Sequence, residues 1–161
     1  MRNFFPERAD TGMTLVEILI VVAITAALAG GVIFNLFNYL KFQDLNSDLQ
    51  AVVSFLRDAQ NRAITQEEAS EWGVYFDNTA SDQGWFAVFK GTSYVSAASR
   101  RNLSSKTEFK NIPTGGSKFL YFNKLTGIPN TSDSIEIGFK SENCPSNCKI
   151  ITIRQNGSIS Y

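Results

Sequence analysis

The sequence contains no histidine. That absence removes the usual general base at neutral pH, the Ser-His-Asp relay and the commonest metal ligand. Cysteine is almost as scarce: Cys144 and Cys148 are the two in the chain, set in a loop of Pro, Ser and Asn. Structural zinc takes about four ligands, and no further Cys or His exists to complete such a set. The pair fits either a local disulfide in an oxidising compartment outside the cytoplasm or two free thiols in a cytosolic protein. Neither sign of charge is in excess, because 15 Lys and Arg face 15 Asp and Glu. No global field therefore calls for nucleic acid or an acidic partner. No residue set supports catalysis, none calls for a cofactor, and proline and glycine are both missing between Val32 and Trp72.

What is present is unevenly placed. At 161 residues the chain holds one domain with one appended element, and its apolar residues crowd toward the N-terminus. Ile18 to Phe34 reads ILIVVAITAALAGGVIF, without a charge, and spans about 26 Å as a helix. A secretory signal would suit Ala27-Leu28-Ala29, yet Glu17 heads the apolar run, and Arg2 and Arg8 are balanced by Glu7 and Asp10. A plain anchor explains neither Glu17 nor the change of character at Gly12. A core helix would be amphipathic, whereas this one is apolar all round. A carboxylate at that position asks for a partner.

The run Gly12-Met13-Thr14-Leu15-Val16-Glu17-Ile18-Leu19-Ile20-Val21-Val22-Ala23-Ile24 resembles the prepilin motif of type IV pilins and type II secretion pseudopilins. The resemblance implies cleavage by a prepilin peptidase between Gly12 and Met13, then methylation of the new N-terminus at Met13. It implies that Glu17 serves subunit assembly by pairing with the N-terminal amine of a neighbouring subunit. Glycine leaves the scissile bond accessible, and opposite charges in a low-dielectric setting attract strongly. Two departures stand out. Asp10 and Thr11 precede the glycine where a basic residue is usual, and the helix lacks the proline that many major pilins carry. The second departure points to a minor or pseudopilin subunit.

Beyond Phe34 the pattern becomes amphipathic, with Leu45, Leu49, Val52, Val53, Leu56, Ala59 and Ala63 at spacings of three and four. One helix from Thr14 to about Gln66 would be about 80 Å long. Past Trp72 come short strand-like runs: Trp72 to Phe76, Trp85 to Phe89, Phe119 to Phe122, Ser134 to Phe139, Lys149 to Ile153 and Ser158 to Tyr161. Turn signals separate them, and Asn156-Gly157 reads as a hairpin turn. The expected fold is α+β, a long N-terminal helix packed on a mostly antiparallel sheet or small β-sandwich. The expected divisions are a leader at 1–12, a transmembrane or filament-core half at 13–40, an amphipathic half at 41–71 and a β domain at 72–161. This layout is similar to the minor subunits of the GspH/FimT-like group. The resemblance implies a single-pass protein of the bacterial inner membrane, its C-terminal domain in the periplasm or on an extracellular filament. Its implied partners are other pilin or pseudopilin subunits, the prepilin peptidase and an inner-membrane assembly platform.

Three further clusters bear on function. Arg100, Arg101, Lys106, Lys110, Lys118 and Lys124 face a single acid, Glu108, within one segment, with Phe109, Phe119, Tyr121 and Phe122 interleaved. Exposed, these would bind an anion or stack nucleic-acid bases, as in a DNA-uptake receptor or adhesin displayed by the same filament. A solvated loop with its aromatics in the core is the plainer reading, and the Gly-Arg-x-Arg tail associated with DNA-binding members is absent. Glu67, Glu68 and Glu71 would bind calcium or simply be solvated. Gly115-Gly116 lacks the Gly-Lys-Ser/Thr context of a phosphate cradle, and Trp72 and Trp85 are expected in the core.

Overall fold

The computed structural model describes residues 14–78, 83–144 and 147–161, excepting the side chains of residues 31–38. The chain divides into two compact units, Met1–Tyr39 and Leu40–Tyr161. Helix α1 runs Leu15–Ile64 without interruption, as expected where no proline removes an i to i−4 hydrogen bond. It starts at Thr14, whose hydroxyl accepts the Glu17 N–H at 3.3 Å, satisfying one of the donors that a helix N-terminus leaves open. It ends at Ile64, and Gln66, Glu68 and Ala69 beyond it all take positive φ.

In the first unit, Leu15, Val16, Ile18, Leu19, Ile20, Val21, Val22, Ile24 and Leu28 are all exposed. Among the described residues no helix is long and apolar enough to cross a membrane. The last four residues of the expected apolar span, 31–34, lie outside the described side chains.

The second unit holds eight strands among the described residues: β1 Trp72–Asp77, β2 Trp85–Lys90, β3 Ala97–Asn102, β4 Thr107–Phe109, β5 Ser117–Phe122, β6 Asp133–Phe139, β7 Cys148–Ile153 and β8 Ile159–Ser160. They form two four-stranded sheets in the orders β3-β2-β1-β5 and β4-β6-β7-β8, with every pairing antiparallel. The six expected strands are all present. Two more, β3 and β4, are not anticipated by the sequence pattern. β3 is exposed along its whole length and carries no apolar alternation. Its strand form comes from backbone pairing to β2 at Trp85–Asn102, Phe86–Arg101 and Ala87–Arg100. β4 is only three residues long and is held by pairing to β6.

Leu45, Leu49, Val52, Val53, Leu56, Ala59 and Ala63 are all buried and share one core with residues of both sheets. Burying a Val or Leu side chain stabilises by roughly 1.5–3 kcal/mol, so this helical stripe contributes heavily to holding the sheets. Phe55 meets Phe86 of β2 edge to face at 4.8 Å, and Phe76 of β1 meets Phe109 of β4 in the same way at 5.5 Å. The Asn78 amide donates to Phe109 O and Ile112 O at 3.2 and 2.8 Å, tying the end of β1 to the segment after β4. On β1, a Cβ at Gly73 would fall on Leu120 O and 2.6 Å from the Phe89 ring, so only glycine fits there. The β7–β8 hairpin turns at Asn156-Gly157, where Gly157 has φ +82° and Arg154 N donates to Ser158 O at 3.0 Å.

Candidate functional site: the helix N-terminus and the cations of the sheet unit

Thr14 and Glu17 stand three apart at the start of α1, the Thr-x-x-Glu spacing of a helix capping box. A carboxylate in the first turn also meets the positive end of the helix dipole. Glu17 therefore has a local reason to be there that its apolar surroundings conceal, and the Thr14 hydroxyl was the available signal for it. The side chain is exposed, open to a partner from another chain. The pair at which cleavage is expected, Gly12 and Met13, lies outside the described residues.

Cys144 and Cys148 form a disulfide across a sequence separation of 4, with their Cα atoms 5.4 Å apart. That spacing lies within the ordinary range for bridged cysteines.

The six cations between Arg100 and Lys124 do not share one surface. Arg100 and Arg101 sit on β3 and Lys118 on β5, opposite edges of the first sheet, separated by three strand spacings or about 14 Å. Lys106 and Lys110 flank β4 at an edge of the second sheet. Several are already engaged. Lys106 pairs with Asp44 at 2.8 Å, Lys110 with Glu108 at 2.6 Å and Lys118 with Asp133 at 2.6 Å. The Arg100 guanidinium lies 4.0 Å over the Trp85 ring. Arg101 and Lys124 stand exposed.

The interleaved aromatics are sorted between two faces. Phe109 and Phe122 are in the core, whereas Phe119 lies 43% exposed on the outer face of the first sheet. There Phe119 meets Phe89, and Phe89 meets Tyr94, edge to face, while Tyr94 stacks on Tyr75 at 4.1 Å. Trp85 joins this outer group, 5.4 Å from Tyr75, and is half-buried rather than a core residue. The reason is register: Trp85 pairs with Asp77, so it shares the face opposite to Phe86 and Val88. Trp72 is in the core as expected, its indole N–H donating to Glu67 O at 2.9 Å.

Of the three glutamates after α1, Glu67 pairs with Arg62 at 2.8 Å and Glu68 with Lys90 at 2.6 Å. Among the described residues no group of three or more metal-ligating side chains comes together.

Residues 8–33 match the family model for the prokaryotic N-terminal methylation motif. No curated protein matches the chain. Among solved structures, the fold is similar to the type IV minor pilin FimU of Pseudomonas aeruginosa strain PAO1 in two crystal forms. In space group P65 the identity is 14%, covering 72% of this chain and 90% of that one, with a TM-score of 0.50. In space group P21 it is 13%, covering 76% and 90%, with a TM-score of 0.53. At such identities the likeness is one of fold, and it spans nearly all of those chains. The chain thus combines an N-terminal methylation motif with a long helix packed on antiparallel sheets, and its fold is similar to that of a type IV minor pilin.

Proposed function

We propose that this chain is a minor pilin or pseudopilin: a structural filament subunit, not an enzyme, cut between Gly12 and Met13 and methylated at Met13. Before assembly, its apolar helix anchors it in the bacterial inner membrane. Afterwards the same helix packs among the helices of sister subunits, and the sheet unit faces outward. The observation that carries this reading is the first unit itself. A helix whose apolar side chains are exposed on every side from Leu15 to Leu28 is stable only against lipid or other helices, and the methylation motif covers that same segment. Minor pilins such as the one this fold is similar to are pilus components by name; a secretion pseudopilus is the other machine such a subunit would serve.

Glu17 is the residue we assign to register between subunits. Its exposed carboxylate in the first helical turn would meet the methylated amine of Met13 on a neighbour, away from water, where such a pair is strong. The test is the mass of the mature protein from a host with and without its prepilin peptidase. Loss of residues 1–12 plus one methyl, dependent on the peptidase, supports the reading. A mature start at Gly30, or an unprocessed chain in both hosts, overturns it.

A further inference from the structure

Along α1, Gln50, Ser54, Arg57 and Asn61 recur at spacings of four, three and four, which places them on one face of the helix. This face lines a groove of about 390 Å³, and Tyr161, just past β8, lines it too. From Gln50 to Asn61 the stripe runs about 16 Å. Contacts within the fold fix the strand beside it. Gln60, next to Asn61, donates to Gly127 O and Gly157 O at 2.9 and 2.8 Å, pinning the β7–β8 hairpin to the helix. Ile159 of β8 packs against the core. Every lining residue lies within the Leu40–Tyr161 unit.

The polar side chains of this stripe differ from others on the same helix. Asp48 and Gln60 bond to loops and strands of the fold. Gln50, Ser54, Arg57 and Asn61 are exposed, and among the described residues their side chains have no hydrogen-bond partner. Their chemistry narrows the ligand. Two amides and a hydroxyl both donate and accept, and the guanidinium offers donors in a planar fork. Asp58 is the one carboxylate side chain in the lining and is bound to Arg62 at 3.0 Å, too little for a metal ion. A single cation is too few to follow a nucleic-acid backbone. A protein partner takes its affinity from a cluster of apolar anchors, whereas Val53 here is only 4% exposed. The aromatic in the groove, Tyr161, is 66% exposed and offers an apolar face with a polar tip.

We propose that this groove binds a short oligosaccharide. A sugar ring is apolar on its face of C–H bonds and carries hydroxyls around its edge that both donate and accept. An exposed aromatic beside a row of amides, a hydroxyl and a guanidinium matches both properties. The ring face rests on Tyr161, and the hydroxyls bond along the stripe from Gln50 to Asn61. Such binding requires neither processing nor entry into a filament.

The test uses the full chain in micelles of lauryldimethylamine oxide, a detergent without a sugar headgroup. The probes are cellotriose, maltotriose, tri-N-acetylchitotriose and trigalacturonate, followed by titration calorimetry and by the side-chain amide NMR shifts of Gln50 and Asn61. At least one probe is expected to bind and to shift both amides. Tyr161→Ala is expected to weaken that binding about ten-fold, the upper range of one aromatic contact, and Gln50→Ala combined with Asn61→Ala by a similar factor. All three positions are exposed, so thermal midpoints should match the parent's and separate lost binding from lost fold. No binding by any of the four, or binding that these substitutions leave unchanged, overturns the proposal. A polyglutamate peptide is the control: binding with the same sensitivity to substitution would mark a peptide groove and overturn the saccharide assignment.

Discussion

The buried carboxylate of Asp48 on the helix accepts the hydroxyl of Thr107 on β4 at 2.5 Å, and Thr107 is itself fully buried. The same oxygen accepts Ser104 N–H at 2.9 Å. A carboxylate in a core is tolerated only where donors replace its water, and these two come from the loop before β4 and from the first residue of that strand. The pair thus ties the helix to the entry of β4, the strand that the sequence pattern does not announce.

Replacing Thr107 by Val keeps the shape and removes the donor. We expect a loss of about 2 kcal/mol, within the 1–3 kcal/mol span for stranding a buried polar group, whereas Thr107→Ser should cost less than about 1 kcal/mol. Urea unfolding of residues 40–161 measures both, and a Val variant as stable as the parent would show that the bond carries little.

Glu17→Ala removes the carboxylate proposed to meet a neighbour's amine. Membrane insertion should be unchanged, since the substitution makes the segment more apolar, and filament incorporation should fall severely. Fractionation followed by quantification of sheared filaments separates the two effects. Normal incorporation would leave Glu17 with only its place in the first turn of the helix.

Gly73→Ala places a methyl group on Leu120 O and the Phe89 ring. Backbone cannot yield as a flexible side chain does, so β1 and β5 must part locally. We expect a loss of about 2–3 kcal/mol, in the upper range for overpacking. A thermal melt reads it directly, and a midpoint equal to the parent's would contradict the close approach.

Reducing the Cys144–Cys148 bond should have a limited effect. It closes a loop with a sequence separation of only 4, and chain entropy for so short a loop gives about 2 kcal/mol as an upper value. Urea midpoints with and without reductant check this. A collapse of the fold on reduction would mean that the bridge organises more than its own loop.

Much of the fold was legible because it is written in local periodicity. The proline- and glycine-free stretch after Val32 is helical as far as Ile64, the stripe from Leu45 to Ala63 is buried, and the six aromatic or β-branched runs all appear as strands. The cation cluster was legible only as composition. Proximity in sequence placed Arg100 beside Lys118, but β3 and β5 turned out to be opposite edges of one sheet, and a linear count of charge does not contain strand order.

By itself, the sequence carried the methylation motif over residues 8–33 and the uncharged apolar run that follows Glu17, because a recognition motif and a run of hydrophobicity are properties of consecutive residues. Tertiary structure decided the rest. It made a strand of the exposed segment Ala97–Asn102 by lending it the hydrogen-bonding edge of β2. It sent Phe122 inward and Phe119 outward, and it set Tyr161 beside the helical stripe from Gln50 to Asn61 around one groove. Each of these depends on pairing or packing between residues far apart in the chain, where the energy resides in the partner and not in the residue's own neighbours.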